Sequence, residues 1–179
     1  MKTLVWCAWV VLAAFAINTA GALQAAEEKK VIRIAAGSEK KIKDSEGNEW
    51  EAAKGFADGD IVDRGNIKIE NTKIPEVYRN ERWGMSSFSI PVPNGKYTVK
   101  LHFAETYDDL TEAGQRVFDV KVMDKELKNL DVFKESGGQK KALVKTFNVE
   151  VKDGKLTIKF DKQDEKNNPE INGIEIIAE

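Results

Sequence analysis

The stretch from Ala104 to Gln115 gathers the side chains with the clearest chemical potential: Tyr107 stands among the acids Glu105, Asp108, Asp109 and Glu112. An aromatic ring amid carboxylates on a polar loop suits a ligand with both an apolar face and hydroxyl groups, and binding loops are held in place by rigid scaffolds. Glu105 and Asp109 are also, by type, the pair that glycoside hydrolysis needs, but that reaction requires a defined carboxyl separation of about 5 to 9.5 Å, which a sequence does not specify. Other chemistries lack their residues. His102 is the sole histidine, so a multi-histidine zinc site is excluded, and its place on a strand predicts an outward-facing role. Cys7 is the sole cysteine and lies in the apolar N-terminal run, which leaves the rest of the chain without disulfides or thiolate metal sites. Asp58, Asp60 and Asp63 supply oxygen ligands of the kind calcium takes, yet lack the EF-hand spacing and its closing glutamate, so they read as a turn-rich acidic loop. No Ser/His/Asp or phosphate-loop motif is present, and no cofactor is expected.

The elements that must carry this loop are strands. Tyr97, Val99, Leu101 and Phe103 alternate with Thr98, Lys100 and His102, the period of a half-buried strand, and Phe118, Val120 and Val122 repeat it on the far side of the loop. Further strands are expected at Val31–Ala35, Ser87–Val92, Leu127–Phe133, Leu143–Val151 (with Val144 and Lys145 breaking its alternation), Leu156–Phe160 and Ile171–Ile177. Phe56–Gly65 reads as loop, Thr72–Tyr78 as irregular around Pro75, and Ser136–Lys141 as a flexible connection. Asn94-Gly95 and Asp153-Gly154 predict tight antiparallel hairpins with positive φ at the glycines. No sustained helical period or solenoid repeat is present. The fold class is therefore all-β: an antiparallel sandwich or jelly roll, with the last strand expected to pair with the first.

At 179 residues the chain is one domain plus a processed segment. Lys2 followed by the apolar run Leu4–Ile17 and the small residues Ala20-Gly21-Ala22 predicts a signal peptide over residues 1–26, cleaved after 22 or 26. The run is shorter than the ~20 residues a membrane span needs, so no span is expected after processing, and the remaining domain, 27–179, is expected to be secreted or periplasmic. The 28 basic and 30 acidic residues are mixed along the chain, for a net charge of −2. Without a basic stripe, a nucleic-acid partner is disfavoured, as is an anionic membrane surface.

A set of short motifs in order and spacing resembles the malectin domain. They are Ile32-Arg33-Ile34-Ala35-Ala36-Gly37, Glu81-Arg82, Ile90-Pro91, Asn94-Gly95-Lys96-Tyr97, Leu101-His102-Phe103-Ala104-Glu105, Arg116-Val117-Phe118-Asp119-Val120, Asp131-Val132-Phe133 and Asn168-Pro169-Glu170-Ile171-Asn172-Gly173-Ile174. The resemblance covers nearly all of Val31–Glu179. It implies a jelly-roll β-sandwich of the galactose-binding type whose loops at one end bind carbohydrate through aromatics and one aspartate. Carried over by motif, the aromatic after Glu-Arg is Trp83 and the aromatic after Phe-Ala-Glu is Tyr107. The next aromatic position is Asp108, the aspartate before Asn-Pro is Asn167, and an aromatic of the Gly/Asp-rich loop is replaced near Arg64. Arg82 joins them as a guanidinium able to bond sugar hydroxyls.

These residue types fit a pyranose. Trp and Tyr offer flat apolar area against its C–H face, and Asn, Asp and Arg supply in-plane donors and acceptors for its hydroxyls. The competing role for Trp83 and Tyr107 is core or rim packing. Glu81 fits a structural ion pair, and Trp50 is open between core and site. The leading function is a non-catalytic module binding oligo- or polysaccharide, beside a glycoside hydrolase or another cell-envelope protein. A protein-interaction or envelope-structural sandwich ranks second and a small glycoside hydrolase third. Exposed aromatics in a groove, a flat apolar patch, and a deep pocket with two close carboxylates respectively distinguish them.

Overall fold

The computed structural model describes residues 29–163 and 168–179. The expected leader, 1–26, and Asn167 lie outside the described residues. In chain order the elements are β1 (Val31–Ala35), β2 (Ile42–Lys43), β3 (Glu49–Trp50), β4 (Asp60–Asp63), α1 (Pro75–Tyr78), β5 (Asn80–Trp83), β6 (Ser87–Pro91), β7 (Gly95–Phe103), β8 (Phe118–Val122), β9 (Lys125–Leu130), α2 (Val132–Ser136), β10 (Leu143–Val151), β11 (Lys155–Lys162), β12 (Glu170–Ile171) and β13 (Gly173–Ala178).

Two four-stranded antiparallel sheets face each other, ordered β1-β13-β7-β10 and β6-β11-β8-β9. The first and last strands pair as expected, Ile32 opposite Ile176. Alternation explains the core between the sheets. Val99, Leu101 and Phe103 of β7 and Ile174 and Ile176 of β13 meet Phe88 of β6, Leu156 and Ile158 of β11, and Phe118, Val120 and Val122 of β8, all essentially without solvent exposure. Each such side chain contributes about 1.5–3 kcal/mol on burial, so a core of this size stands without disulfides.

The two glycine turns differ from expectation. Asn94-Gly95 leads from β6 in one sheet to β7 in the other, and Asp153-Gly154 leads from β10 back to β11. Neither closes a hairpin. The turn residues specify a sharp reversal and positive φ, +155° at Gly95 and +74° at Gly154, but not which sheet the next strand joins. The two arches sit side by side, with Gly154 N–H donating to Asn94 Oδ1 at 2.7 Å. Strand β10 keeps an unbroken alternation, with Lys145 on the same face as Leu143 and Phe147 and ion-paired to Glu135.

The segment expected as a strand through Phe133 instead ends at Leu130 and passes into α2. Asp131 caps this helix by accepting from Lys134 N–H at 2.9 Å, and Gly137 closes it in the left-handed region. The stretch read as irregular around Pro75 contains α1, with proline in its first turn, and the Gly/Asp-rich loop contains β4.

His102 is the clearest correction. It is 4% exposed, because the outer face of its sheet is covered by a second core of Ala35, Trp50, Ile69, Val77, Tyr78 and Ala104. Tyr78 Oη lies 2.7 Å from His102 Nδ1, and Glu175 Oε1 lies 3.0 Å from Nε2. Trp50 packs edge-on to the imidazole and donates its indole N–H to Asp44, so Trp50 belongs to this core.

Candidate functional site

A third sheet, β12-β5-β4, builds one wall of the site. In β5 the alternation turns Glu81 and Trp83 to one side and Arg82 to the other. Opposite them β4 places Val62 across from Glu81, and Arg64 follows just beyond. Val62, Arg64, Glu81 and Trp83 therefore line a single cavity of about 350 Å³, within the usual range for small-molecule sites. Gly37 sets how closely the main chain crosses this wall: a β-carbon there would stand 2.3 Å from Glu81 N.

The loop after β7 supplies the opposite wall, and it is pinned throughout. Asn172 Oδ1 accepts from Ala104 N–H at 2.6 Å, Glu105 Oε1 accepts from Tyr107 N–H at 3.0 Å, and Gln139 Nε2 donates to Tyr107 O at 2.8 Å. This leaves Tyr107, the most exposed aromatic of the described residues at 42%, at the cavity mouth with its hydroxyl donating to Asp109. The Arg64 guanidinium lies 5.7 Å from the centre of the Tyr107 ring. Leu110, Gln115, Arg116 and Asn168 complete the lining.

Beneath the cavity lies a compact charge cluster. Arg64 bonds Glu81 Oε1 at 2.9 Å and Thr106 Oγ1 at 3.2 Å, and the Thr106 hydroxyl donates to the other Glu81 oxygen. Arg116 Nε stands 2.9 Å from Glu105 Oε2, an ion pair whose N–H does not point along the contact, while Nη1 donates to Asn168 O at 3.1 Å. Glu170 is fully buried, and neither of its carboxyl oxygens has a hydrogen-bond partner among the described residues. Burial, reinforced by the charges of Glu105 and Glu81, pushes its carboxyl well above the ordinary range. Burial also raises Glu105, with Arg116 pulling the other way. The cluster thus sets three acidic side chains, Glu81, Glu105 and Glu170, against the two guanidiniums of Arg64 and Arg116.

Of the residues singled out in the sequence, Trp83, Tyr107 and Arg64 are brought together at this cavity. Asp108 is not part of its lining: it is exposed and ion-paired to Lys140 at 2.6 Å, a partner 32 residues away, and that lysine holds its carboxyl below the usual range. Arg82 is also outside. Strand parity turns it away, to donate to the carbonyls of Ala36, Asp58 and Gly59 and to cover the Phe56 ring at 4.8 Å. Glu81 forms the expected structural ion pair. Leu110, Gln115, Arg116, Val62 and Asn168 were not foreseen. Parity with Glu81 and Trp83 across a β4–β5 pair was the signal for Val62, but that pairing is hidden when Phe56–Gly65 is read as loop.

A more open hollow of about 720 Å³ lies where β7 begins, at the end of the strand opposite the cavity. It is lined by lysines and acids with no aromatic ring, so it lacks the stacking surface the loop cavity has. Among the described residues no group of three or more His, Cys, Asp or Glu is arranged to hold a metal ion, and no helix is long and apolar enough to cross a membrane.

Comparison with known proteins places this architecture. The sandwich superposes on a β-glucuronidase of Bacteroides uniformis with a TM-score of 0.73 at 19% identity, over 84% of this chain and 18% of that one. It superposes on the ANXUR2 extracellular domain of Arabidopsis thaliana with a TM-score of 0.70 at 19% identity, over 84% of this chain and 49% of that one. In sequence it is 36% identical over 81 residues to a probable LRR receptor-like serine/threonine-protein kinase of Arabidopsis thaliana, covering 42% of this chain and 8% of the kinase. The chain thus spans a small part of such relatives' own length. Across residues 30–174 it matches the malectin domain, and with the motifs running in order along the sandwich the chain belongs to the malectin domain family.

Proposed function

We propose that this protein is a non-catalytic carbohydrate-binding module that takes an oligosaccharide, or the end of a polysaccharide, in the cavity between β5 and the 104–115 loop. The observation that carries this reading is the convergence of Trp83 and Tyr107, from segments far apart in sequence, on one cavity of about 350 Å³ with the Arg64–Glu81 pair between them. The rings supply flat apolar area for the C–H face of a sugar, and the polar lining orients its hydroxyls. Because both guanidiniums are already engaged, Arg64 by Glu81 and Arg116 by Glu105, the ligand is an electrically neutral sugar rather than a uronate. Few polar contacts at an open mouth give a dissociation constant of roughly 10 µM to 1 mM.

Catalysis is disfavoured on chemical grounds. Glu105 is buried, bound by Arg116 and by Tyr107 N–H, and Asp109 is engaged at the rim with the Tyr107 hydroxyl. Neither is free to protonate a leaving group or attack a sugar. Residues 1–26 act as a removed signal peptide, cut after 22 or 26, and the domain 27–179 works outside the cytoplasm beside a glycoside hydrolase or another envelope protein. Asn167, next to the cavity residue Asn168, contributes an amide to the ligand.

A glycan array followed by calorimetry tests the reading. Binding of neutral oligosaccharide in the stated range, lost in Trp83→Ala, is expected. Preferential binding of uronate-containing glycans, or of none, contradicts it.

A further inference from the structure

We infer that Gln115 is the orienting hydrogen-bond donor of the cavity, reading one oxygen of a neutral sugar. The inference rests on the carbohydrate reading above and names a residue that decides its specificity. Gln115 Oε1 accepts from two main-chain donors, Thr111 N–H at 2.7 Å and Glu112 N–H at 2.9 Å. Only the carbonyl oxygen can accept both, so the identity of the two amide atoms follows from the partners. The Nε2 group, with two N–H donors, is left on a side chain that lines the cavity and is exposed. It has no hydrogen bond to another described residue.

The two cations in the lining, Arg64 and Arg116, differ in being already engaged. Arg64 donates to Glu81 and Thr106, and Arg116 to Asn168 while paired with Glu105. Gln115 is also held in place from both sides. Gly114 N–H donates to Asp131 Oδ2 at 2.6 Å from a left-handed turn at φ +86°, and Arg116 is 11% exposed in its ion pair. A donor fixed before the ligand arrives loses little conformational freedom on binding. It also rewards an acceptor oxygen at one position of the sugar and leaves a deoxy or axial isomer unpaired.

Two substitutions separate this role from a purely structural one. Gln115→Glu keeps an oxygen to accept from Thr111 and Glu112 and removes the donor; Gln115→Ala removes both. The protein and both variants are titrated by calorimetry with maltose, cellobiose, laminaribiose, lactose and mannobiose. For the disaccharide that the parent protein binds best, Gln115→Glu is expected to bind about 2- to 13-fold more weakly, the range for one neutral hydrogen bond, and Gln115→Ala at least as weakly. Parental affinity in Gln115→Glu with weaker binding in Gln115→Ala overturns the inference, since Gln115 would then only clamp the loop. Unchanged affinity in both also overturns it while leaving the carbohydrate reading intact. Binding of none of the five sugars by the parent protein overturns both. The Gln115 side-chain amide protons of the parent protein should shift in NMR spectra on sugar addition, and unmoved signals refute the inference without any variant.

Discussion

Replacing Gly37 with alanine tests how the third sheet is set against the sandwich. An added β-carbon would lie 2.3 Å from Glu81 N, 2.4 Å from Asn80 C and 2.6 Å from Glu81 C. Ordinary carbon contacts begin near 3.4 Å, so the chain must open by roughly 1 Å, and all three obstacles are backbone that cannot rotate away. Overpacking commonly costs 1–3 kcal/mol, and with backbone on both sides the cost here is expected to be at least ~3 kcal/mol. For a domain of this size that lowers the thermal midpoint by about 6–12 °C. Gly84→Ala is the control. Gly84 has a φ of +72° and nothing within 4 Å of an added β-carbon, so only the left-handed backbone penalty of ~1–2 kcal/mol applies. Urea unfolding with linear extrapolation measures both. A Gly37→Ala loss below ~1 kcal/mol, or one no larger than that of Gly84→Ala, would show that β5 is not held by this close crossing.

Other perturbations separate core from site. Phe118 has no exposed surface, so Phe118→Ala should cost ~3–5 kcal/mol by denaturant titration. Tyr107→Ala, at the exposed mouth, should weaken sugar binding about tenfold by calorimetry, one ring's worth of stacking, while leaving the thermal midpoint within a degree or two of the parent. Glu170 has a folded pKa raised by burial above its ordinary value of 4.5. Its contribution to stability is therefore fully present below that value and is lost as pH rises through the folded pKa. Glu170→Gln should flatten the decline in stability with rising pH. Glu175 and Asp44, whose folded values are lowered, contribute with the opposite sign, so the loss of stability at falling pH should persist in the variant. An unchanged decline with rising pH would show that Glu170 is not the group responsible.

The sandwich was legible because alternation reports one buried face, and β7, β8, β11 and β13 each bury one against the central core. The same signal is blind to a second cover. His102 sits on the polar phase of β7 and reads as outward-facing, yet Trp50 and Tyr78, from segments 52 and 24 residues earlier, close over it. The Asn-Gly and Asp-Gly turns announced reversal but not destination, because changing sheet is a property of the packed layers. Helices of four and five residues are too short to show a period. At the site, Trp83 and Tyr107 were readable as aromatics on polar segments near motifs, and Arg64 from its place in the Gly/Asp-rich loop. Arg82 and Asp108 share those local features but lose the cavity to strand parity and to an ion pair with Lys140, neither of which is local. Gln115 carried no signal of its own, since its role depends on two main-chain donors that only the folded loop presents.

The most direct measurement is an NMR titration of the protein with the neutral oligosaccharide that an array identifies, following the Trp83 indole N–H and the backbone amides of residues 104–116. Saturable shifts confined to Trp83, this loop and the neighbourhood of Arg64 and Asn168 are predicted, with the same ligand leaving Trp50 and the lysine-lined hollow around Lys96 unmoved. Shifts centred on that hollow or on the outer faces of the sheets, with Trp83 and Tyr107 silent, would contradict the account.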